Sequence, residues 1–200
     1  MDIKSRAIGA LAANCYIIEA PGGVIAIDPG DDTAAIAEFV VKSPDAIILT
    51  HGHFDHTLGA AALKARSGAK IYIGAEDAPM LKDAGLCLAQ DFGAGAFTPV
   101  EADVLLEAGS IEICGMRFEV IKTPGHTKGG ISLYCAEEGF IFTGDTLFER
   151  GYGRTDFAGG SMMELVASLR RLFALPDNIR VFPGHGDSAL LGTIKKGYGF

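Results

Sequence analysis

The chain has 200 residues, a formal net charge of −8, and a composition that is 48% hydrophobic and 21% charged. That balance supports a substantial globular core and excludes a disordered or fibrous chain. An acidic chain with no dense Lys/Arg block offers no electrostatic case for nucleic acid or for an anionic membrane surface.

The stretch Met1-Asp2-Ile3-Lys4-Ser5-Arg6 leads into an Ala/Gly-rich segment broken at Asn14, so the sustained apolar core of a secretory signal is missing. Nor does any stretch approach the roughly 18 apolar residues of a membrane span. Cys15, Cys87, Cys114 and Cys135 are far apart, with no Cys-x-x-Cys among them. They read as reduced thiols in a cytoplasmic protein rather than as a disulfide framework.

In chain order, Asn14–Glu19 and Val24–Asp28 flank Ala20-Pro21-Gly22-Gly23 and predict a hairpin, which Asp28-Pro29-Gly30-Asp31-Asp32 closes. Thr33 is placed to cap a helix through about Lys42 with Ile36, Phe39 and Val40 on one face. After Pro44, Ala46–Leu49 reads as a buried strand. A helix over 58–67, with Leu58, Ala61, Ala62 and Ala65 on one face, is expected to stop at Gly68. Lys70–Ile73 predicts a strand, Glu76–Ala84 a short helix, and 91–99 a small-residue loop that serves as a connector or as a lid over a substrate. Hairpin strands follow at 111–114 and 116–121, then strands at 131–135 and 140–142, a helix over 161–173 with Leu165, Leu169 and Leu172 inward, and a strand at 180–182. With no linker to divide it, the chain reads as a single domain over 1–200.

The chemistry concentrates where strands end. Thr50-His51-Gly52-His53-Phe54-Asp55-His56 begins as the 46–49 strand stops, which is where α/β sheets place ligands. Residues two apart share a face, so His51 and His53 can point one way while Asp55 and His56 serve a neighbouring position. One motif can thus serve two metals. Imidazole and carboxylate suit Zn, Fe or Mn, and the absence of Cys argues against a closed thiolate site. His126 in Pro124-Gly125-His126-Thr127, Asp145 in Gly144-Asp145-Thr146 and His185 in Pro183-Gly184-His185-Gly186 also follow strands, so all five histidines fall in strand-end loops.

With these motifs in this order the chain resembles the metallo-β-lactamase superfamily, through Thr-His-x-His-x-Asp-His, Pro-Gly-His-Thr, Gly-Asp-Thr-Leu-Phe and Pro-Gly-His-Gly. The resemblance implies an α/β fold, a four-layer αββα sandwich with the metal site at one edge of two packed sheets. It also implies that His51, His53 and His126 hold one divalent ion, that Asp55, His56 and His185 hold a second, and that Asp145 bridges them. Zinc is the expected metal, with iron or manganese as alternatives. The chain looks most like the short, single-domain relatives of glyoxalase II, in which Gly153-Arg154-Thr155-Asp156-Phe157-Ala158-Gly159-Gly160 also has counterparts.

The expected function is therefore hydrolysis of a small thioester by a hydroxide shared between two ions, with Asp55 holding one ion and orienting the nucleophile. Arg154 and Lys128 are the candidate contacts for an anionic substrate group, although Arg154 can equally pair with Asp156. Threonines beside the ligands, Thr50, Thr123, Thr127, Thr143 and Thr146, can steady the imidazoles. Two alternatives keep the same fold: a mononuclear iron persulfide dioxygenase using His51, His126 and Asp145, and a lactonase or other ester hydrolase. Flavodiiron chemistry is disfavoured, because those proteins place Glu where this chain has His53. The C-terminal Lys195–Phe200 segment is expected to fray, with groove closure or a homodimer contact as the other roles open to it.

Overall fold

In the computed structural model, residues 2–31, 34–94 and 96–198 are described. Strands β1 (Ile3–Ile8), β2 (Ala13–Ala20), β3 (Gly23–Ile27), β4 (Ala46–Leu49), β5 (Lys70–Gly74) and β6 (Val104–Leu106) form one sheet in sequential order. Strands β7 (Gly109–Ile113), β8 (Met116–Lys122), β9 (Ile131–Cys135), β10 (Phe140–Gly144), β11 (Arg180–Pro183) and β12 (Ala189–Leu190) form the second, ordered β12-β11-β10-β9-β8-β7. Each sheet joins antiparallel hairpins to parallel pairs: β3-β4, β4-β5 and β5-β6 in the first, β10-β11 in the second.

Side-chain alternation decides what each face buries. Tyr16, Ile18, Ile25, Ile27 and Ile48 of the first sheet meet Phe118, Val120, Leu133, Phe140 and Phe142 of the second, and this inter-sheet cluster is the central core. On the outer face of the first sheet, Ile47, Leu49, Ile71 and Ile73 pack against Ile36 of helix α1 (Ala34–Phe39) and Ala60 and Leu63 of helix α3 (Ala60–Ser67). Ile141 and Val181, on the outer face of the second, meet Leu165, Leu169 and Leu172 of α4 (Met162–Phe173) and Leu191 and Ile194 of α5 (Leu191–Gly197). The layers therefore run α, β, β, α, as the resemblance implied. Strands buried on both sides, such as β4 and the Phe140–Phe142 part of β10, are apolar because each of their faces meets a layer.

Several expectations are corrected. Asp55 and His56 lie on a short helix, α2 (Phe54–Thr57), separate from α3, rather than in a simple turn. In α3 the inward positions are Ala60 and Leu63, whereas Ala62 and Ala65 are exposed. A hydrophobic stripe made of alanines carries too little area to fix which face turns inward. Glu76–Ala84 contracts to a 3-10 turn at Ala78–Lys82, with a proline in its first turn. Strand β1 was not anticipated, because only its last residue, Ile8, is buried. As far as Tyr198 the C-terminal segment is not frayed: α5 packs on α4, and Tyr198 lies 5.1 Å from the Phe173 ring and donates a 2.6 Å hydrogen bond to the Gly151 carbonyl. The Thr33 cap, and the chain end at 199–200, lie outside the described residues.

All four cysteines are free thiols, and no helix among the described residues is long and apolar enough to cross a membrane. Phe118 is fully buried between the sheets, so Phe118→Ala is expected to cost about 3–5 kcal/mol. Urea unfolding of the variant beside the parent protein measures it.

Candidate metal centre

The parallel strands set the site. β4 ends at Leu49 and β10 at Gly144, in different sheets, and both deliver their next residues to the same edge of the sandwich. There His51, His53 and His126 offer ligand atoms within 4.8 Å of one another, and so do Asp55, His56 and His185. Asp145 lies between the two groups: Oδ2 is 3.5 Å from Nε2 of both His126 and His185, and Oδ1 is 3.5 Å from Nε2 of His56. All seven side chains named from the motifs thus come together.

Hydrogen bonds fix which ring nitrogen faces inward. His56 Nδ1–H donates to Asp28 Oδ2 at 3.0 Å, and His126 Nδ1–H donates to the Arg154 carbonyl at 2.7 Å, so both rings turn Nε2 to the cluster. His51 Nδ1–H reaches Thr50 Oγ1 at 3.2 Å, and Thr50 Oγ1–H donates onward to Asp28 at 2.6 Å. His51 Nε2 is left buried without a hydrogen-bond partner, as is Asp145 Oδ1. His53 instead presents Nδ1, 2.9 Å from His126 Nε2.

Such an arrangement fits cations. Buried lone pairs that face one another are costly unless something positive lies between them. Burial, followed by the neighbouring imidazoles, pushes His51 well down, and burial with His126 takes His53 down to about 3. At His56 burial also opposes charge, but the Asp55, Asp145 and Asp28 carboxylates outweigh it and raise the ring to about 10. Asp55 resists burial in the same way: His56 and His185 hold it at about 2. His51 and His53 are thus neutral imidazoles ready to ligate, while the carboxylates around His56 draw positive charge. Gly184 completes the fit, since a Cβ there would run into Asp145 Oδ1 and the His56 ring.

Three residues that sequence reasoning missed hold the loops. Asp28, at φ +49°, also accepts from the Thr50 backbone N–H at 2.8 Å, so one carboxylate steadies His51, His56 and the exit of β4. Its left-handed backbone costs on the order of 1 kcal/mol. Asp77, buried, accepts from Gly52 N–H at 3.0 Å and Gly129 N–H at 2.6 Å, tying the His51-to-His53 loop to the loop that carries His126. Asn14 donates to the carbonyls of Pro183 at 3.0 Å and Gly186 at 2.8 Å, bracketing His185. Asp28 was legible only as a residue closing a strand, and nothing local marks Asp77 or Asn14. Among the threonines, Thr50 reaches a ligand, whereas Thr123, Thr143 and Thr146 bond elsewhere.

A cavity of about 280 Å³ opens over the cluster, walled by Leu11, Phe54, Leu88, Phe92, Phe148 and Phe157 and reached by Arg154. Phe92 brings the 91–99 loop into this wall, 5.5 Å from the Phe54 ring and 6.1 Å from Phe157; Gly95 lies outside the described residues. Lys128 is exposed beside Gly159 and does not line the cavity. The pairing of Arg154 with Asp156 is present as a two-pronged ion pair.

Because an amide replaces one acceptor oxygen with a donor facing a backbone N–H, Asp77→Asn is expected to lower stability by about 1–3 kcal/mol. Denaturant unfolding without added metal checks this, and an unchanged midpoint would remove Asp77 from the account.

Known proteins resemble this chain over nearly its whole length. Hydroxyacylglutathione hydrolase GloC of Haemophilus influenzae is 33% identical over 98% of this chain and 96% of its own. Among solved structures, the BLEG-1 B3 metallo-beta-lactamase superposes with a TM-score of 0.91 at 31% identity, covering 98% of this chain and 97% of its own. TTHA1623 in a di-iron-bound form gives a TM-score of 0.84 at 35% identity, over 96% and 97%. Residues 8–185 match the metallo-beta-lactamase superfamily, and with the fold and the His/Asp edge cluster in place, the chain belongs to that superfamily.

Proposed function

We propose that this protein is a cytoplasmic hydrolase of small hydroxyacyl thioesters that works with two divalent ions, zinc in the first instance. His51, His53 and His126 would hold one ion and Asp55, His56 and His185 the other, with Asp145 shared. When bound, such ions supply a water acidic enough to ionise near neutral pH and an electrophilic pull on a carbonyl oxygen. The observation that carries the reading is the position of Asp145, 3.5 Å from an imidazole of each group. A single-iron oxygenase would leave Asp55, His56 and His185 without a task, although their ligand atoms also converge within 4.8 Å.

The chain's own residues account for the remaining requirements. Asp55 faces the cavity, 3.3 Å from His185 Nε2, where its carboxylate can accept a hydrogen bond from the attacking water and aim it. Asp28 and the Arg154 carbonyl keep the His56 and His126 rings from turning. The phenylalanines and leucines around the opening exclude bulk water, which strengthens electrostatic interactions inside. A departing thiolate has a free pKa of about 8.5, so the chain needs no strong general acid. The fit of a thioester is supported by the name of the Haemophilus relative. A lactonase would need the same groups.

Elemental analysis of protein purified without added metal is expected to give about two ions per chain, with cleavage of a lactoyl thioester by the same sample. One iron per chain, no cleavage, and oxygen uptake with a persulfide would replace this reading with the oxygenase. Chelation is expected to abolish hydrolysis, and zinc to restore it. Asp28→Ala is expected to weaken metal affinity about 10–100-fold by freeing the His56 ring, as read by titration against a competing chelator.

A further inference from the structure

The charge lining the groove, rather than the metal cluster, carries a further step, which rests on the thioesterase reading above. Among the described residues that line the cavity, Arg154 is the sole Lys or Arg. Its guanidinium is committed: Nε donates to Asp156 Oδ1 at 2.7 Å and Nη2 to Asp156 Oδ2 at 2.6 Å, and the group lies 4.0 Å from the Phe157 ring centre. A two-pronged pair of this kind fixes the fork's direction as well as its charge. Hydrogen bonds from Arg154 hold the Asp156 carboxyl at about 2, so it stays ionised throughout the working range. Both side chains are more than half exposed, 56% and 64%, and exposed pairs add little to stability. What the pair changes is the charge presented to a ligand.

The neighbouring surface repeats the pattern. A second hollow of about 310 Å³ shares Leu11, Phe54 and Phe92 with the first, then continues along Leu58 and small Gly and Ala residues. Among the described residues that line it there is no Lys or Arg. An anionic carrier drawn along this path would give up hydration and meet only a cation already paired with Asp156. An apolar one would gain by burial.

We propose that Asp156 sets the preference of the site among thioesters: by holding Arg154 it denies an anionic carrier its counter-ion, so the favoured substrates are acyl thioesters of an uncharged, apolar thiol. Asp156 is a positioning residue in this scheme, acting through Arg154 and not on the reacting atoms.

The test uses the full metal-loaded chain and two esters with the same lactoyl group, one on N-acetylcysteamine, which is uncharged, and one on glutathione, which carries net negative charge. The parent protein is expected to show the higher kcat/KM with the uncharged carrier. Asp156→Asn is expected to raise kcat/KM for the glutathione ester about two- to fivefold relative to the other. That gain should shrink in roughly 0.5 M salt and disappear when Arg154→Gln is added. A merely structural role for Asp156 would move both esters together. An unchanged ratio in Asp156→Asn, or a parent preference for glutathione that Arg154→Gln removes, overturns the inference and leaves the thioesterase intact. Cleavage of neither ester overturns the thioesterase reading and this inference with it.

Discussion

The packing of one sheet against the other is the constraint from which the rest of the molecule follows. Phe118, Phe142, Ile18, Ile27 and Ile48 are buried in that interface, and the Phe142 ring stacks 5.2 Å from Phe182 of the neighbouring strand. Because protein interiors pack at near-crystalline density, the interlocked side chains of this interface hold β4 and β10 in a defined relative position. The edge cluster inherits that precision, since His51 stands two residues beyond β4 and Asp145 one beyond β10. A site assembled from both sheets cannot be better ordered than the interface between them.

Two sets of contacts convert that order into aimed side chains. Backbone groups at the strand ends are bound across the sandwich, Asn14 N–H to the Gly184 carbonyl at 2.7 Å and Ile131 N–H to the Thr50 carbonyl at 2.9 Å, while Gly184 N–H to the Gly144 carbonyl at 2.8 Å ties neighbouring strands of the second sheet. Buried carboxylates, Asp28 and Asp77, then accept from several donors each, which offsets the cost of taking a charge out of water. Such residues are expensive unless every oxygen finds a donor, and here they find donors on the very loops that carry the histidines. The same close approach explains Gly125, at φ +135°, whose added Cβ would strike the backbone of Leu165 in α4.

What could be read from the sequence follows from the range over which each signal acts. Strands β4, β9 and β10 were legible because burial on both faces makes them largely apolar runs, and α4 because Leu165, Leu169 and Leu172 fall at helical spacing behind Ser161. The cluster of candidate ligands was legible because histidines at strand ends are chemically conspicuous. Asp77 and Asn14 were not, since their meaning lies in partners at Gly129 and Pro183, far along the chain. Strand β1 was missed for the opposite reason: as an edge strand with one buried residue it carries almost no hydrophobic pattern. The C-terminal helix was underestimated because its apolar content, Leu191 and Ile194, is small and counts only once α4 is there to receive it.

The division between centre and rim bears on specificity. The candidate metal-ligating positions follow strand ends or sit on the short helix α2, whereas much of the cavity wall is drawn from separate loops: Leu11 between β1 and β2, Leu88 and Phe92 before β6, and Phe148, Arg154 and Phe157 before α4. Loops can vary without disturbing the core, so a rigid centre with a loop-built rim allows substrate choice to change while the chemistry stays. In this chain the rim is itself cross-braced, by Phe92 against Phe54 and Phe157 and by the Tyr198 hydroxyl on the Gly151 carbonyl. Tyr198, just beyond the C-terminal helix, thereby braces the loop that carries Arg154, so a segment remote in sequence holds part of the cavity rim in place.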